Sequence, residues 1–415
     1  MFGDLISLFQ DDLYIKVGKT IFSIWPIWLP VILGTTFFHS WVTYVRRNWL
    51  RGQGYVLLEI KIPKDVSKSP AAMELVLQGI WENANISTPA DAFWEGKMRE
   101  WFSLEIVSIG GEVKFFIWAF PRWKKIIESR IYAQYPGAEV MEVEDYALKL
   151  NYVYNQNYVW GITTELVKPD PYPIKTYIEY ELDKSKGDEQ EEIVDPITPM
   201  LEYLGTLGSH ETACIQIMIR AHAKENYLYG RIRPKDDWKA SIKTEIKKII
   251  EEEALIKGEK DKPASMLALT DEQKATIKAI ERNAGKLAFD TMIRMLYIAP
   301  QDNYEKTRGI GLIGSTRQFG SQNLNGIKPD WFSGLTHSWQ DFNDINKKTR
   351  LRTLVDAYKR RSFFEAPYKH LNGKPYVLTT EEVATVFHFP GTVATTPTLS
   401  RVPSKKGEAP ANLPV

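Results

Sequence analysis

Four short stretches hold residue types that could do chemistry. "VGKT" (Val17 to Thr20) has the ending of a phosphate-binding loop, where backbone N–H groups cradle phosphates and a lysine reaches them. That pattern needs a glycine five positions before Gly18, and Leu13 stands there. "GIGLIG" has Gly309, Gly311 and Gly314 at the spacing of a dinucleotide fingerprint, with Asp330 at a suitable distance. Nothing strand-like precedes the glycines or delivers Asp330, so small residues that let a helix pack closely account for the spacing. "SHETAC" opens like a zinc-protease helix at His210 and Glu211, but Cys214 takes the place of the second histidine. Glu381 and Glu382 fall in the first turn of an expected helix, where negative charge complements the dipole.

The six histidines, at 39, 210, 222, 337, 370 and 388, form no pair at metal-ligand spacing. No nucleophile, base and oxyanion donor come together in the pattern. The expectation is therefore no enzyme, no cofactor and no metal. Two basic stretches rich in aromatic residues remain. One is "RWKKIIESR", with Arg122, Trp123, Lys124, Lys125 and Arg130; the other is "TRLRTLVDAYKRRSFF", with Arg350, Arg352, Lys359, Arg360 and Arg361. Cations beside rings can follow a nucleic-acid backbone and stack bases, or they can be a solvated helix face or a partner contact.

Composition narrows the rest. Lys and Arg number 53 against 52 Asp and Glu, so any affinity for a polyanion must be local. Cys214 is the single cysteine, which excludes an internal disulfide framework and fits a reducing compartment. At 415 residues with 44% hydrophobic content, the chain is expected to be folded and to hold several domains.

From Ile21 to Val45 no Asp, Glu, Lys or Arg occurs, and 25 helical residues reach across a hydrocarbon core of about 30 Å. A kinked single-pass transmembrane helix is expected over 21–45, with Trp25, Pro26, Trp28, Pro30 and Trp41 within it and Arg46 and Arg47 behind it. Arg51 follows, and the positive-inside rule puts the soluble part in the cytoplasm of a bacterial inner membrane. Phe2, Leu5, Ile6, Phe9 and Leu13 recur at helical spacing, so residues 1–20 read as an amphipathic interfacial helix.

Beyond the span the periodicities predict an α+β protein of two ferredoxin-like, βαββαβ-type units. In the first, over 52–150, "YVLLEIKIP" is a strand and "SPAAMELVLQGIW" a helix. A hairpin turning at Gly110–Gly111, a helix opened by Pro121 and the strand "AEVMEVEDY" complete it. The second, over 151–390, is expected to begin with the strand "KTYIEYEL". "DPITPMLEYLGTL" then reads as helix, "ACIQIMIRA" and "FDTMIRMLYIAP" as strands, and "PYVLTTEEVATVFHFP" as a last strand running into a capped helix. A charged helical hairpin is inserted at 222–287, its second helix opened by Thr270 with Gln273. Residues 391–415 read as a linker.

The pieces "LLEIKIPKDVSKSPAAMELVL", "WFSLEIVSIGGEVKFFIWAFP", "IIESRIYAQYPGAEVMEVEDY", "DPITPMLEYLGTLGSHETACIQIMIR", "NLNGIKP" and "LTTEEVATVFHFPG" cover most of Leu57 to Val415. In this order they resemble the N-terminal, membrane-anchored region of proteins related to conjugative type IV secretion ATPases of the HerA/FtsK superfamily, including an uncharacterised-domain family of candidate-phylum bacteria. In that family a segment like "KKGEAPANLPV" leads into a RecA-like motor. No G-x-x-x-x-G-K-[ST] occurs in this sequence. The resemblance thus implies a non-enzymatic scaffold of a DNA- or protein-transfer apparatus, oligomeric and recruiting a separate ATPase. A membrane-tethered module for single-stranded nucleic acid is the alternative, resting on the two basic stretches, with DNA as partner.

Overall fold

A computed structural model describes residues 16, 19–20, 22–63, 68–82, 88–153, 156–183, 194–223, 238–256, 269–330, 345–365, 367–371, 373–390 and 401–402. The chain divides into two compact units, Met1–Gln53 with Ile86–Met98, and Gly54–Asn85 with Arg99–Val415.

The smaller unit is built on α1 (Trp25–Gln53), which has Pro30 inside it and no acidic residue along its length. Across from it a single π-helical turn, Asp91–Glu95, closes on a left-handed Gly96. Among the described residues, no helix is long and apolar enough to cross a membrane. The crossing helix expected over 21–45 is thus corrected to a helix that starts later and runs on to Gln53. Thr35, Thr36, His39, Ser40 and Thr43 dilute its apolar run, and Arg46, Arg47 and Arg51 occupy its last turns. The interfacial helix expected over 1–20 lies outside the described residues, save Lys16, Lys19 and Thr20.

The larger unit is organised by one ten-stranded sheet. Its first half runs β1 (Val56–Pro63), α2 (Ala71–Ile80), β2 (Phe102–Ile109), β3 (Glu112–Ala119), α3 (Lys124–Gln134) and β4 (Glu139–Glu142). The strands pair in the order β4-β1-β3-β2, all antiparallel. Gly110 and Gly111, at φ +61° and +88°, make the β2–β3 turn that the dipeptide predicts.

The second half repeats this order. It runs β5 (Asn157–Leu166), α4 (Thr198–Gly205), β6 (Thr212–Ala221), β7 (Ala288–Pro300), α7 (Lys306–Gly314) and β8 (Ile327–Pro329). Its strands pair as β8-β5-β7-β6. Between β6 and β7 stand α5 (Trp238–Ile256) and α6 (Asp271–Ala284), where the helical insertion is expected. Thr270 and Gln273 form the reciprocal cap that opens α6. The two halves join where β2 pairs antiparallel with β6 over eight residue pairs, from Phe102↔Ile219 to Ile109↔Thr212.

The chain then continues through α8 (Ile345–Lys359), β9 (Tyr376–Thr379) and α9 (Thr380–Val386). Two expectations need correction. "KTYIEYEL" forms turns, not a strand. Its side chains are tied to distant acids instead: Tyr177 donates to Glu74 at 2.6 Å and Thr176 to Glu381 at 2.6 Å. The first strand of the second half is β5 instead. Likewise β9 adds to β7 at Ala288–Thr291, and β8 takes the fourth position. Of the expected linker, only β10 (Arg401–Val402) is described; it pairs parallel with β1.

Residues directly opposed across antiparallel strands share a face. One face carries Ile60, Phe115, Ile106, Ile215, Met295 and Ile162 in a single cross-strand row, all buried. On this face α2 packs on α3 and α9 packs on α2. Phe387 and Phe389 meet Phe115 edge-on at 5.7 and 5.2 Å. The opposite face is different. Its central row reads Glu59, Phe116, Glu105, Gln216, Arg294 and Thr163, with the last four less than 2% exposed.

Candidate functional site

That polar row is closed over by the end of α8. Arg361, with a positive φ of 48°, turns its fully buried guanidinium onto two carboxylates. Its Nε donates to Glu105 Oε1 at 2.9 Å and its Nη2 to Asp145 Oδ1 at 2.9 Å, with Nη1 against the other Asp145 oxygen. Glu105 also accepts from Ser103 at 2.7 Å, from Tyr146 at 2.6 Å and from Gln216 at 3.0 Å. Arg294 donates to Gln216 Oε1 and to the Ser362 carbonyl, both at 3.1 Å. Tyr146 and Tyr358 hydroxyls touch at 2.5 Å.

Burial alone would raise the Glu105 carboxyl, but the Arg361 charge and hydrogen bonds hold it below its ordinary value. Burial raises both tyrosines well above theirs, and pulls Arg294 down to about 10. It also pushes the neighbouring Cys214 thiol up to about 12, which keeps it neutral and unreactive. Arg361 is neutralised by Glu105 and Asp145, while Arg294 has only neutral partners and its buried Nε has none. The cluster is an internal brace.

Arg361 is therefore withdrawn from the surface, contrary to its place among the expected contacts. The remaining basic residues divide by partner. Arg122 reaches Glu100 at 2.6 Å and Glu82 at 3.0 Å, Lys124 reaches Glu142 at 2.6 Å, and Trp123 is buried with its indole N–H on Glu100. Lys125 and Arg130 are exposed, with the Arg130 side chain lying over Gly79. On α8, Arg360 pairs with Asp356 at 2.8 Å and Lys359 donates to Asn151 at 2.7 Å, while Arg350 and Arg352 point outward. Beside that face Tyr158 meets Tyr304 at 3.7 Å between centroids with the rings tilted by 34°, and the Lys347 ammonium lies 5.9 Å from the Tyr158 ring. Beyond these pairs, each patch keeps two exposed cations, Lys125 and Arg130 in the first and Arg350 and Arg352 in the second.

The other chemical motifs resolve into packing. Gly309 sits where a Cβ would come within 2.5 Å of the Trp160 ring, and Gly311 lies against Tyr203. The glycines let α7 settle on its neighbours. Glu211 accepts from Gly208 N at 2.6 Å and from the Tyr297 hydroxyl, closing the turn before β6; His210 is exposed. Among the described residues no three His, Cys, Asp or Glu gather where a metal could be held.

The residues expected to anchor the chain all lie on α1. Trp25 is 48% exposed, Pro26 and Pro30 are exposed, Trp28 is half-buried, and Trp41 donates its indole N–H to the Phe93 carbonyl at 3.0 Å. Arg47 is exposed and Arg46 half-buried. Exposed apolar residues include Phe22, Ile24, Ile27, Val31, Ile32, Leu33, Phe37 and Phe38, which lie at every azimuth of the helix. Sequence reasoning missed Trp94 and the buried partners Glu105 and Asp145. A tryptophan in a polar loop and an acid in an apolar strand were the available signals.

By sheet and helix content this is a mixed α+β protein on an antiparallel sheet. Residues 47–401 match a family described as Domain of unknown function (DUF8128), and the chain belongs to it. No curated protein matches the chain.

Proposed function

We propose that the protein is a non-enzymatic, membrane-attached scaffold. One observation carries this reading: Ile27, Val31, Ile32, Leu33 and Phe37 stand exposed on different sides of α1 rather than in one stripe. Such a surface is stable in hydrocarbon and costly in water. Arg46, Arg47 and Arg51 then meet the headgroups on the cytoplasmic side, and α1 anchors the chain in a bacterial inner membrane. Two ferredoxin-like units, fused through β2 and β6, form the platform. The resemblance supports placing this platform in a DNA- or protein-transfer apparatus, as an oligomer to which a separate HerA/FtsK-like ATPase docks.

The test is flotation of the full chain with phospholipid vesicles. The parent chain is expected to float. Ile32→Lys with Leu33→Lys should reduce the lipid-bound fraction at least about tenfold, since a cation at helix centre costs about 2.5–3.5 kcal/mol. Equal flotation of parent and variant would remove the anchor. Copurification from detergent with a phosphate-binding-loop ATPase tests the docking.

A second reading is favoured by α8, which carries the exposed Arg350 and Arg352 and sets Lys347 near the Tyr158 ring, itself in contact with Tyr304. This arrangement suits single-stranded nucleic acid. Oligonucleotide binding should weaken steeply with salt and disappear in Arg350→Glu/Arg352→Glu, while Lys125→Glu leaves it intact. Salt-independent binding would exclude it.

A further inference from the structure

The turn at residues 88–98 fits a ligand of its own. It belongs to the same compact unit as α1, though in sequence it connects α2 to β2. Its backbone is fixed locally. Thr88 bonds both the Asp91 carboxylate, at 2.6 Å, and the Asp91 N–H, at 3.1 Å. Lys97 closes the turn through its N–H on the Asp91 carbonyl, 2.9 Å, and its ammonium on Asp91 and Glu95, both 2.7 Å. Gly96, at φ +70°, lies so close to the α1 backbone that a Cβ would stand 2.5 Å from the Val45 carbonyl carbon. Only glycine allows both the turn and the approach.

This clasp adds aromatic rings to one level of α1. Phe93 meets Phe38 at 5.4 Å, Trp94 meets Trp41 at 5.2 Å, and Trp41 meets Tyr44 at 6.2 Å. Trp94 is 73% exposed and Tyr44 63% exposed. A tryptophan held rigidly by its neighbours and left bare costs free energy in water. Along α1 the ring level falls after the all-round apolar stretch ending at Phe38 and before Arg46, Arg47 and Arg51. At about 1.5 Å per residue, Trp41 stands roughly 8 Å from Arg46. Apolar, then aromatic, then cationic is the order of the hydrocarbon core, the ester region and the anionic headgroups of a bilayer leaflet.

We infer that the 88–98 clasp is a membrane-interface element, with Trp94 and Tyr44 seated among lipid headgroups, and that it sets the depth to which α1 enters the bilayer. The occupant is lipid. This inference rests on the anchoring reading above and adds a surface to it. Burial of Trp94 at that level also explains why a segment joining α2 to β2 carries an exposed indole on a turn braced by five ion-pair and hydrogen-bond contacts.

The experiment uses the full chain with vesicles of phosphatidylcholine and phosphatidylglycerol in equal parts, brominated at either a shallow or a deep acyl carbon. The fluorescence difference between the parent and Trp94→Phe isolates Trp94. It should be quenched more by shallow than by deep bromines, and Trp94→Ala should lower partitioning by about tenfold. If the chain floats while Trp94 escapes quenching and Trp94→Ala floats equally, the clasp inference falls and the anchor stands. If the parent chain does not float, the anchoring reading falls and takes the clasp with it.

Discussion

Arg361→Met is expected to cost about 3–5 kcal/mol of folding stability, because it leaves two carboxylates in the protein interior with no counter-charge. Glu105 and Arg361 have no measurable exposure, and the Asp145 side chain is 3% exposed. Water cannot take the place of the guanidinium. Much of the cost should be recovered in Arg361→Met/Glu105→Gln/Asp145→Asn, since removing both signs of charge removes the desolvation penalty along with the attraction. Urea denaturation of the two variants and the parent decides it. A single variant within about 1 kcal/mol of the parent would mean that the brace carries no net stability. Trp101, whose indole N–H meets the Arg361 carbonyl at 3.0 Å, offers a fluorescence signal near the cluster.

The second large effect depends on pH. Glu382 caps α9: its Oε2 accepts from Thr379 N at 2.8 Å, Thr379 Oγ1 at 3.0 Å and Asn283 at 3.2 Å, and its Oε1 accepts from Ile174 N at 2.9 Å. Burial outweighs those four bonds and pushes its carboxyl up to about 7 from its ordinary 4.5. The folded chain therefore holds this proton more tightly than the unfolded chain. Its contribution is complete below the unfolded value and is lost as pH rises through about 7. The loss is on the order of 3 kcal/mol. Carboxyls shifted the other way, Glu105 and Asp290, act at acid pH and leave this window clear. Glu382→Gln should flatten the fall in urea midpoint between about pH 5 and 8. Parallel pH profiles for parent and variant would refute the assignment.

How much of this could be read from the chain depends on the range of the interaction. The Gly110–Gly111 turn, both reciprocal caps at Thr270 and Thr379, and the helical insertion follow from residues a few positions apart, and they appear where the sequence predicts them. The Glu105–Arg361 pair spans 256 positions. No local pattern could announce it, and Arg361 looked like one more cation in a basic run. "KTYIEYEL" misleads because its β-favouring residues are tied to distant acids, Thr176 to Glu381 and Tyr177 to Glu74, which no local pattern shows. β5 escapes notice because Gly161 interrupts it; the glycine is there to admit the Leu354 side chain. The apolar run of α1 was legible, but the turn packed on it was not, since Gly96 meets Val45 only in three dimensions.

The β2–β6 seam has one more consequence. Each half repeats the same strand order, yet neither could be released as a working piece. β2 is buried at seven of its eight positions and β6 at nine of its ten. Cutting the chain between them would bare two long, apolar, hydrogen-bond-hungry borders, the kind that recruit stray strands into aggregates. The duplicated architecture has become a single indivisible plate.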